Sequence, residues 1–190
     1  MVRFLLDHGA NAALVNSQGY TALQLSLVRK RLSILKILLD FSGTEVGAIN
    51  RSGATTLILA ITQQFPDAVP LLLPFPQLSV NRLDGSGRTA LHHAVMQQDI
   101  HTVELLLQCP RTVPTTPSTD GRTALAYAAL GGGVEMITLL LQTKKFDVHH
   151  RDIYGKSALD WARMNCCKEV AAKLREAESG FDEGPSCSQQ

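Results

Sequence analysis

Several residues are of types that can do chemistry. Adjacent histidines stand at His92-His93 and His149-His150, with His101 nearby, and imidazole nitrogens bind zinc, copper and nickel. Cys166-Cys167 is a vicinal thiol pair next to Lys168, a pattern that senses redox state or takes a soft metal. Gly131-Gly132-Gly133 has the freedom of a phosphate-cradling loop. Asp152, Asp160 and Glu135 supply carboxylates of the kind that pair for acid–base catalysis.

Spacing argues against each. Neighbouring histidines on a helix point ~100° apart, whereas an i, i+4 pair would chelate one ion. The four cysteines, Cys109, Cys166, Cys167 and Cys187, contain no CxxC and no Cys/His metal spacing. The vicinal pair has no neighbouring base that would make a nucleophile site, so it reads as part of a turn. The three glycines follow a helical segment and lack a Gly-Lys-Ser/Thr ending, so they too read as a turn. The carboxylates fall in different elements with nothing to bring them together. The sequence predicts no catalytic residue, no metal site and no cofactor, and the chain is read as not an enzyme.

The elements that position these residues come from a repeat. Gly19, Gly53, Gly87, Gly121 and Gly155 each open a Gly-x-Thr/Ser-x-Leu phrase, and they recur every 34 residues. Three residues before them stand Asn16, Asn50, Asp84, Ser118 and Asp152, short polar side chains that favour turns by bonding nearby backbone. Two residues after them, Thr21, Thr55, Thr89, Thr123 and Ser157 are placed to cap a helix. Five residues further come Ser26, Ala60, Ala94, Ala128 and Ala162, small enough for helices to approach closely. A second helix follows in each repeat, with one apolar face. Its face is Ile34-Leu35-Leu38, Ala68-Val69-Leu72, Thr102-Val103-Leu106, Met136-Ile137-Leu140 and Val170-Ala171-Leu174 in turn. Helices this short are marginal alone in water, so the repeats must stack. The fold class predicted is all-α, an α-solenoid.

Composition agrees. The chain is 45% hydrophobic but only 5% aromatic, so Leu, Ala, Ile and Val fill its core. A net charge of +1 gives no overall nucleic-acid or membrane signature. Apolar runs are shorter than the ~20 residues of a membrane span. Cysteine usage points to a reducing, intracellular setting, cytoplasm or nucleus.

The stretch Asp84-Gly85-Ser86-Gly87-Arg88-Thr89-Ala90-Leu91-His92-His93-Ala94 resembles the opening of an ankyrin repeat, a ~33-residue unit with a Thr-Pro-Leu-His-x-Ala phrase. Ala90 stands where that family usually has proline. Phe4-Leu5-Leu6-Asp7-His8-Gly9-Ala10-Asn11 is similar to the family's Leu-Leu-x-x-Gly-Ala ending. The resemblance covers residues 1 to about 177. It implies antiparallel helix pairs with β-hairpin fingers projecting from them, and partners bound on the concave side formed by fingers and first helices. It also implies that His92 bonds the backbone of a neighbouring turn. On this reading residues 1–177 hold a leading half repeat, 1–14, and repeats at about 16–49, 50–83, 84–117, 118–151 and 152–177. Residues 178–190, rich in Gly, Ser, Pro, Gln and acid, read as a disordered tail.

The copies differ. Pro66 can open the second helix of the second repeat, Pro70 should shorten or kink it, and Pro74 and Pro76 end it. Pro110, Pro114 and Pro117 stiffen the finger connection between the third and fourth repeats. The half repeat presents Val2, Phe4 and Leu5 where a cap would be polar, and reads as a fragment of a longer chain.

The residues expected to meet a partner lie on the fingers and first helices. One past each repeat glycine are Tyr20, Ala54, Arg88, Arg122 and Lys156, with Arg51, Arg82 and Arg151 nearby. Three consecutive fingers thus carry a cation, a basic row suited to an acidic protein surface. Tyr20 would be an aromatic anchor. Gln24, Met96, Gln97, Leu130 and Met164 are expected to face the same concavity. The function expected is a monomeric, non-enzymatic protein–protein interaction scaffold, with no nucleic acid and no membrane involved. The alternative is a sensor or regulatory fragment of a larger multidomain signalling protein.

Overall fold

The computed structural model describes residues 1–181. Its helices are α1 (Val2–Asp7), α2 (Ala22–Val28), α3 (Leu32–Leu39), α4 (Thr56–Thr62), α5 (Val69–Leu72), α6 (Ala90–Met96), α7 (Ile100–Gln108), α8 (Ala124–Gly131), α9 (Val134–Gln142), α10 (Ala158–Met164) and α11 (Lys168–Phe181). A 3-10 turn, Pro66–Ala68, leads directly into α5. The described residues form two compact units, 1–94 with 101–112, and 95–100 with 113–181. The division passes through the Asp84–Leu107 repeat.

Within the first unit α2 packs on α3 and on α4, α3 packs on α1 and on the 3-10 turn, and α4 covers α5. In the second, α8 and α9 form a pair, as do α10 and α11, and the pairs stack first helix on first helix and second on second. The small residues sit where first helices meet their neighbours: Ala60, Ala94, Ala128 and Ala162 are fully buried, and Ser26 nearly so. The second-helix faces are buried as the period predicts, from Leu35 and Leu38 to Val170, Ala171 and Leu174; only Ile34 is partly exposed. In α1 Leu6 is buried, while Phe4 and Leu5 are exposed.

Capping starts the first helices. Thr21 and Ser157 form reciprocal capping boxes with Gln24 and Asp160, and Thr55 accepts from the Ile58 N–H. Thr89 accepts from the His92 N–H at 3.3 Å, and the Thr89 N–H donates to the His92 ring. His92 therefore bonds the backbone of its own repeat's turn. Thr123 is the exception and makes no side-chain cap bond. Each inter-helix turn then uses one left-handed residue. Lys30, Gln64, Gln98, Gly132 and Cys166 all have φ between 50° and 69°, at the same register in every repeat. The Gly131–Gly133 and Cys166–Cys167 segments are thus turns.

Each finger closes on itself. The N–H of Asn16, Asn50, Asp84, Ser118 or Asp152 donates to the carbonyl four residues on, and the repeat glycine's N–H returns to the first residue's carbonyl. The fingers expected as β-hairpins are therefore compact turns. Among the described residues two carry an isolated antiparallel bridge, Val15 with Thr21 and Ile49 with Thr55. Fingers also stack backbone to backbone. A Cβ on Gly53 would lie 2.6 Å from the Gly85 nitrogen, and one on Gly121 would lie 2.9 Å from the Ile153 nitrogen. Both glycines also have φ near 77°, so two separate demands exclude a side chain there.

The second helix of the second repeat is short, as its prolines predict: a 3-10 turn holds Pro66, and Pro70 falls in the first turn of the four-residue α5, where a missing N–H costs little. One boundary changes. Helix α11 continues to Phe181, so residues 178–181 extend it rather than begin a tail, and the Ser179 hydroxyl donates to the Glu176 carbonyl within that last turn. The remaining tail residues, 182–190, lie outside the described residues.

Arg111 meets carbonyls at the end of the shortened α5 and in the turn that follows it. Its Nη1 donates to Leu78 O at 3.0 Å and Pro76 O at 3.2 Å, and its Nη2 donates to Leu73 O. Asn81 Nδ2 in return donates to Arg111 O at 2.7 Å. Because the planar fork serves three carbonyls at once, Arg111→Ala is expected to lower the free energy of unfolding by about 2 kcal/mol, with Arg111→Lys recovering less than half, as read by urea denaturation.

Candidate functional site

In the last finger Asp152 is the organising group. Its side chain is fully buried. Oδ1 accepts from the N–H groups of Tyr154 and Lys156, both at 2.9 Å. Oδ2 accepts from the Trp161 indole at 2.8 Å and from Arg122 Nε at 3.3 Å. Arg122 also pairs with Asp120 at 2.9 Å and lies over the Trp161 ring, 4.3 Å from its centroid, with Tyr154 at 5.5 Å. Tyr127 reaches the same network, donating to Asp120 at 3.2 Å.

A pattern not visible as a motif emerges. Nine residues after the turn residue, His93, Tyr127 and Trp161 each bond back to it, to Asp84 at 2.7 Å, Ser118 at 3.4 Å and Asp152 at 2.8 Å. These struts tie the fingers of repeats three to five to their own first helices. Leu25 and Leu59 stand at the same register in the first two repeats, so no such bond forms there. The signal was in the sequence, a hydrogen-bonding ring at three successive 34-residue steps, but only the geometry gives it meaning.

The site residues separate into several kinds. Lys156 and Arg51 are exposed, and the Arg51 stem covers Gly19. Arg122, only 19% exposed, is held by two carboxylates and a ring, so its charge is largely answered within the chain. Arg88 is partly exposed, and its N–H is fixed by Asp84 at 3.1 Å. Tyr20 is half-buried, its N–H donated to Asn16. Met96 is exposed, and Gln97 and Leu130 are partly so. Gln24 departs from expectation: it is fully buried, completing the cap of α2 and donating to Ala48 O at 2.9 Å, because an N3 glutamine is drawn to the open backbone N–H of its own cap. Tyr20, Arg51 and Arg88 belong to the first compact unit; Met96, Gln97, Arg122, Leu130 and Lys156 belong to the second.

Two residues were not anticipated. Ile153 and Tyr154, 67% and 60% exposed, form the tip of the last finger between Arg151 and Lys156. Their backbone is fixed by the Asp152 carboxylate at the Tyr154 N–H and by Asp120 O at the Ile153 N–H. Met164 on α10 is exposed as well. Of the residues with chemical potential, His150 bonds Gly121 O at 2.8 Å and Asp160 caps α10 and pairs with Arg151. Among the described residues no cluster of three or more His, Cys, Asp or Glu forms that would hold a metal. No helix among them is long and apolar enough to cross a membrane.

This arrangement of capped helix pairs and stacked fingers agrees with the sequence comparisons. The pattern described as "Ankyrin repeats (3 copies)" matches residues 28–116 and 111–183. The chain belongs to the ankyrin-repeat family. Its structure is similar to the crystal structure of the ankyrin repeat domain of Bcl-3, described as a unique member of the IkappaB protein family. The TM-score is 0.82 with 27% identity, over 93% of this chain and 78% of that one. No curated protein matches. In ankyrin-repeat terms, Asp84 and Asp152 are finger residues, and His93, Tyr127 and Trp161 are first-helix residues that brace them.

The carboxylates of the fingers carry a pH dependence. Burial alone would raise the Asp152 carboxyl, but the Lys156 N–H, the Trp161 indole, the Tyr154 N–H and Arg122 outweigh it, and the pKa falls below the ordinary carboxylate value. Asp84 and Asp120 are lowered by the same kind of balance. A carboxyl lowered in the fold is protonated first in the unfolded chain. Its stabilisation is therefore complete above the unfolded pKa of roughly 4 and lost as pH falls through the folded value. Trp161 is the sole tryptophan and reports on the network directly. Stability followed by Trp161 emission is expected to be level from neutral pH down to about 5 and to fall below roughly 4, with Asp152→Asn giving a shallower acid fall.

Proposed function

We propose that this ankyrin-repeat chain is a non-enzymatic, monomeric interaction scaffold, and that fingers and first helices are its contact surface. The observation that carries the proposal is the tip of the last finger. Ile153 and Tyr154 expose large apolar side chains on a backbone held rigid by the buried Asp152, so little ordering remains to be done on binding. Tyrosine with flanking cations is also the composition of interaction hot spots. Lys156 and Arg151 beside the tip, and Arg51 and Tyr20 on earlier fingers, favour a partner with an acidic segment next to an apolar side chain. Arg88, Met96, Gln97 and Leu130 are secondary contacts in this reading. Arg122 supports the surface from below rather than carrying its charge to a partner. An intracellular setting, cytoplasm or nucleus, belongs to the same proposal and rests on composition.

The test avoids Arg122, because reversing it would set a carboxylate beside Asp120 and Asp152 and disrupt the fold. Partners captured by the wild-type chain are re-measured against Ile153→Ser with Tyr154→Ala, and separately against Arg51→Glu with Lys156→Glu, all four positions being surface positions. Each pair is expected to weaken binding by roughly tenfold or more, the charge pair more strongly at low salt. Unchanged affinity for every partner in both variants would remove the finger surface from the reading.

A further inference from the structure

Cys166-Cys167 is left unused by the interaction surface, and its surroundings are distinctive. The pair forms the turn between α10 and α11. Cys166 is exposed with φ at 56°. Cys167 is half-buried and more constrained. Its N–H donates to Ala162 O, its carbonyl accepts from the Ala171 N–H, and its Sγ donates to Asn165 O at 3.4 Å. A Cβ on Gly132 would come 2.9 Å from that sulfur, so the glycine of the preceding turn makes room for the second thiol.

Both cysteines border a cleft of about 400 Å³ that is also lined by Arg163, Lys168 and Arg175, with Ala162 and Ala171 as its apolar floor. Three cations and no carboxylate line it. Lys168 and Arg175 have no ion-pair partner among the described residues, and Arg163 has only Asp160 at 3.8 Å. The better-paired cations of this unit differ: Arg122 and Arg151 each have a carboxylate within 3.1 Å. An exposed thiol therefore opens onto cations whose charge is largely unanswered.

We propose that Cys166 is a thiol–disulfide exchange site for an anionic peptide disulfide, glutathione disulfide, whose carboxylates are met by Arg163, Lys168 and Arg175. Cys166 gives its proton to solvent, and the thiolate attacks one sulfur of the disulfide. A Cys166–glutathione bond forms as the glutathione disulfide bond breaks. The second glutathione leaves as a thiolate and takes up a proton. Cys166 is oxidised, one glutathione sulfur is reduced, and no other oxidant is needed.

The reduced full-length chain is treated with glutathione disulfide, with neutral 2-hydroxyethyl disulfide and with cationic cystamine, and adducts are timed by intact mass and peptide mapping. One glutathionyl adduct is expected, on Cys166, appearing well before any on Cys109, Cys167 or Cys187 and lost in Cys166→Ser. Arg163→Gln with Lys168→Gln and Arg175→Gln is expected to slow glutathione disulfide roughly tenfold while leaving 2-hydroxyethyl disulfide unchanged and cystamine unchanged or faster. Wild type supplies a second measure that needs no variant: added salt should slow glutathione disulfide and not the neutral reagent. First reaction at another cysteine, or equal salt response for the neutral and anionic reagents, overturns the proposal.

Discussion

Between Gly53 and Gly85, and again between Gly121 and Ile153, two backbones meet with no side chain between them. The Gly85 N–H donates to Ser52 O and the Ile153 N–H to Asp120 O, so successive fingers share main-chain hydrogen bonds. That contact fixes the distance between neighbouring repeats. The spacing of first helices follows from it, and so does the demand for Ala60, Ala128 and Ala162 where those helices touch. A side chain at the glycine would open the fingers and separate helices whose faces are cut for close approach.

Much of this was legible because the chemistry is local and repeated. The capping residues, the small residues and the second-helix faces act within a few positions of one another, so a fixed period exposes them. What escaped the sequence acts between repeats. Arg111 answers carbonyls at and just beyond the end of a helix more than thirty residues earlier. Arg122 sits where an exposed cation is expected, but its ring and its second carboxylate come from the following repeat. Gln24 was misplaced for the opposite reason: a purely local bond, to its own cap, draws it inward. The finger tip at Ile153 and Tyr154 belongs to no motif, and only its exposure marks it.

The electrostatics follow one rule with two outcomes. Where a carboxylate lies under a finger it collects backbone N–H donors first, and a ring or guanidinium completes it; Asp84 and Asp152 are both built so. The cations drawn into these networks lose their reach into solvent, and those left outside, Lys156 and Arg51 among them, keep it. A nearly neutral chain can in this way hold distinct patches of unanswered positive charge.

The left-handed residue in each inter-helix turn has a consequence of another kind. Lys30, Gln64, Gln98, Gly132 and Cys166 share one backbone geometry and no side-chain chemistry. The position dictates conformation, at a strain of roughly 1–2 kcal/mol for each residue that is not glycine. Except at Gly132, where a Cβ would meet the Cys167 sulfur, a mutation there alters what the surface can react with while the repeat keeps its shape. Such a place lets a scaffold acquire private chemistry one repeat at a time, without disturbing the period that makes it a scaffold.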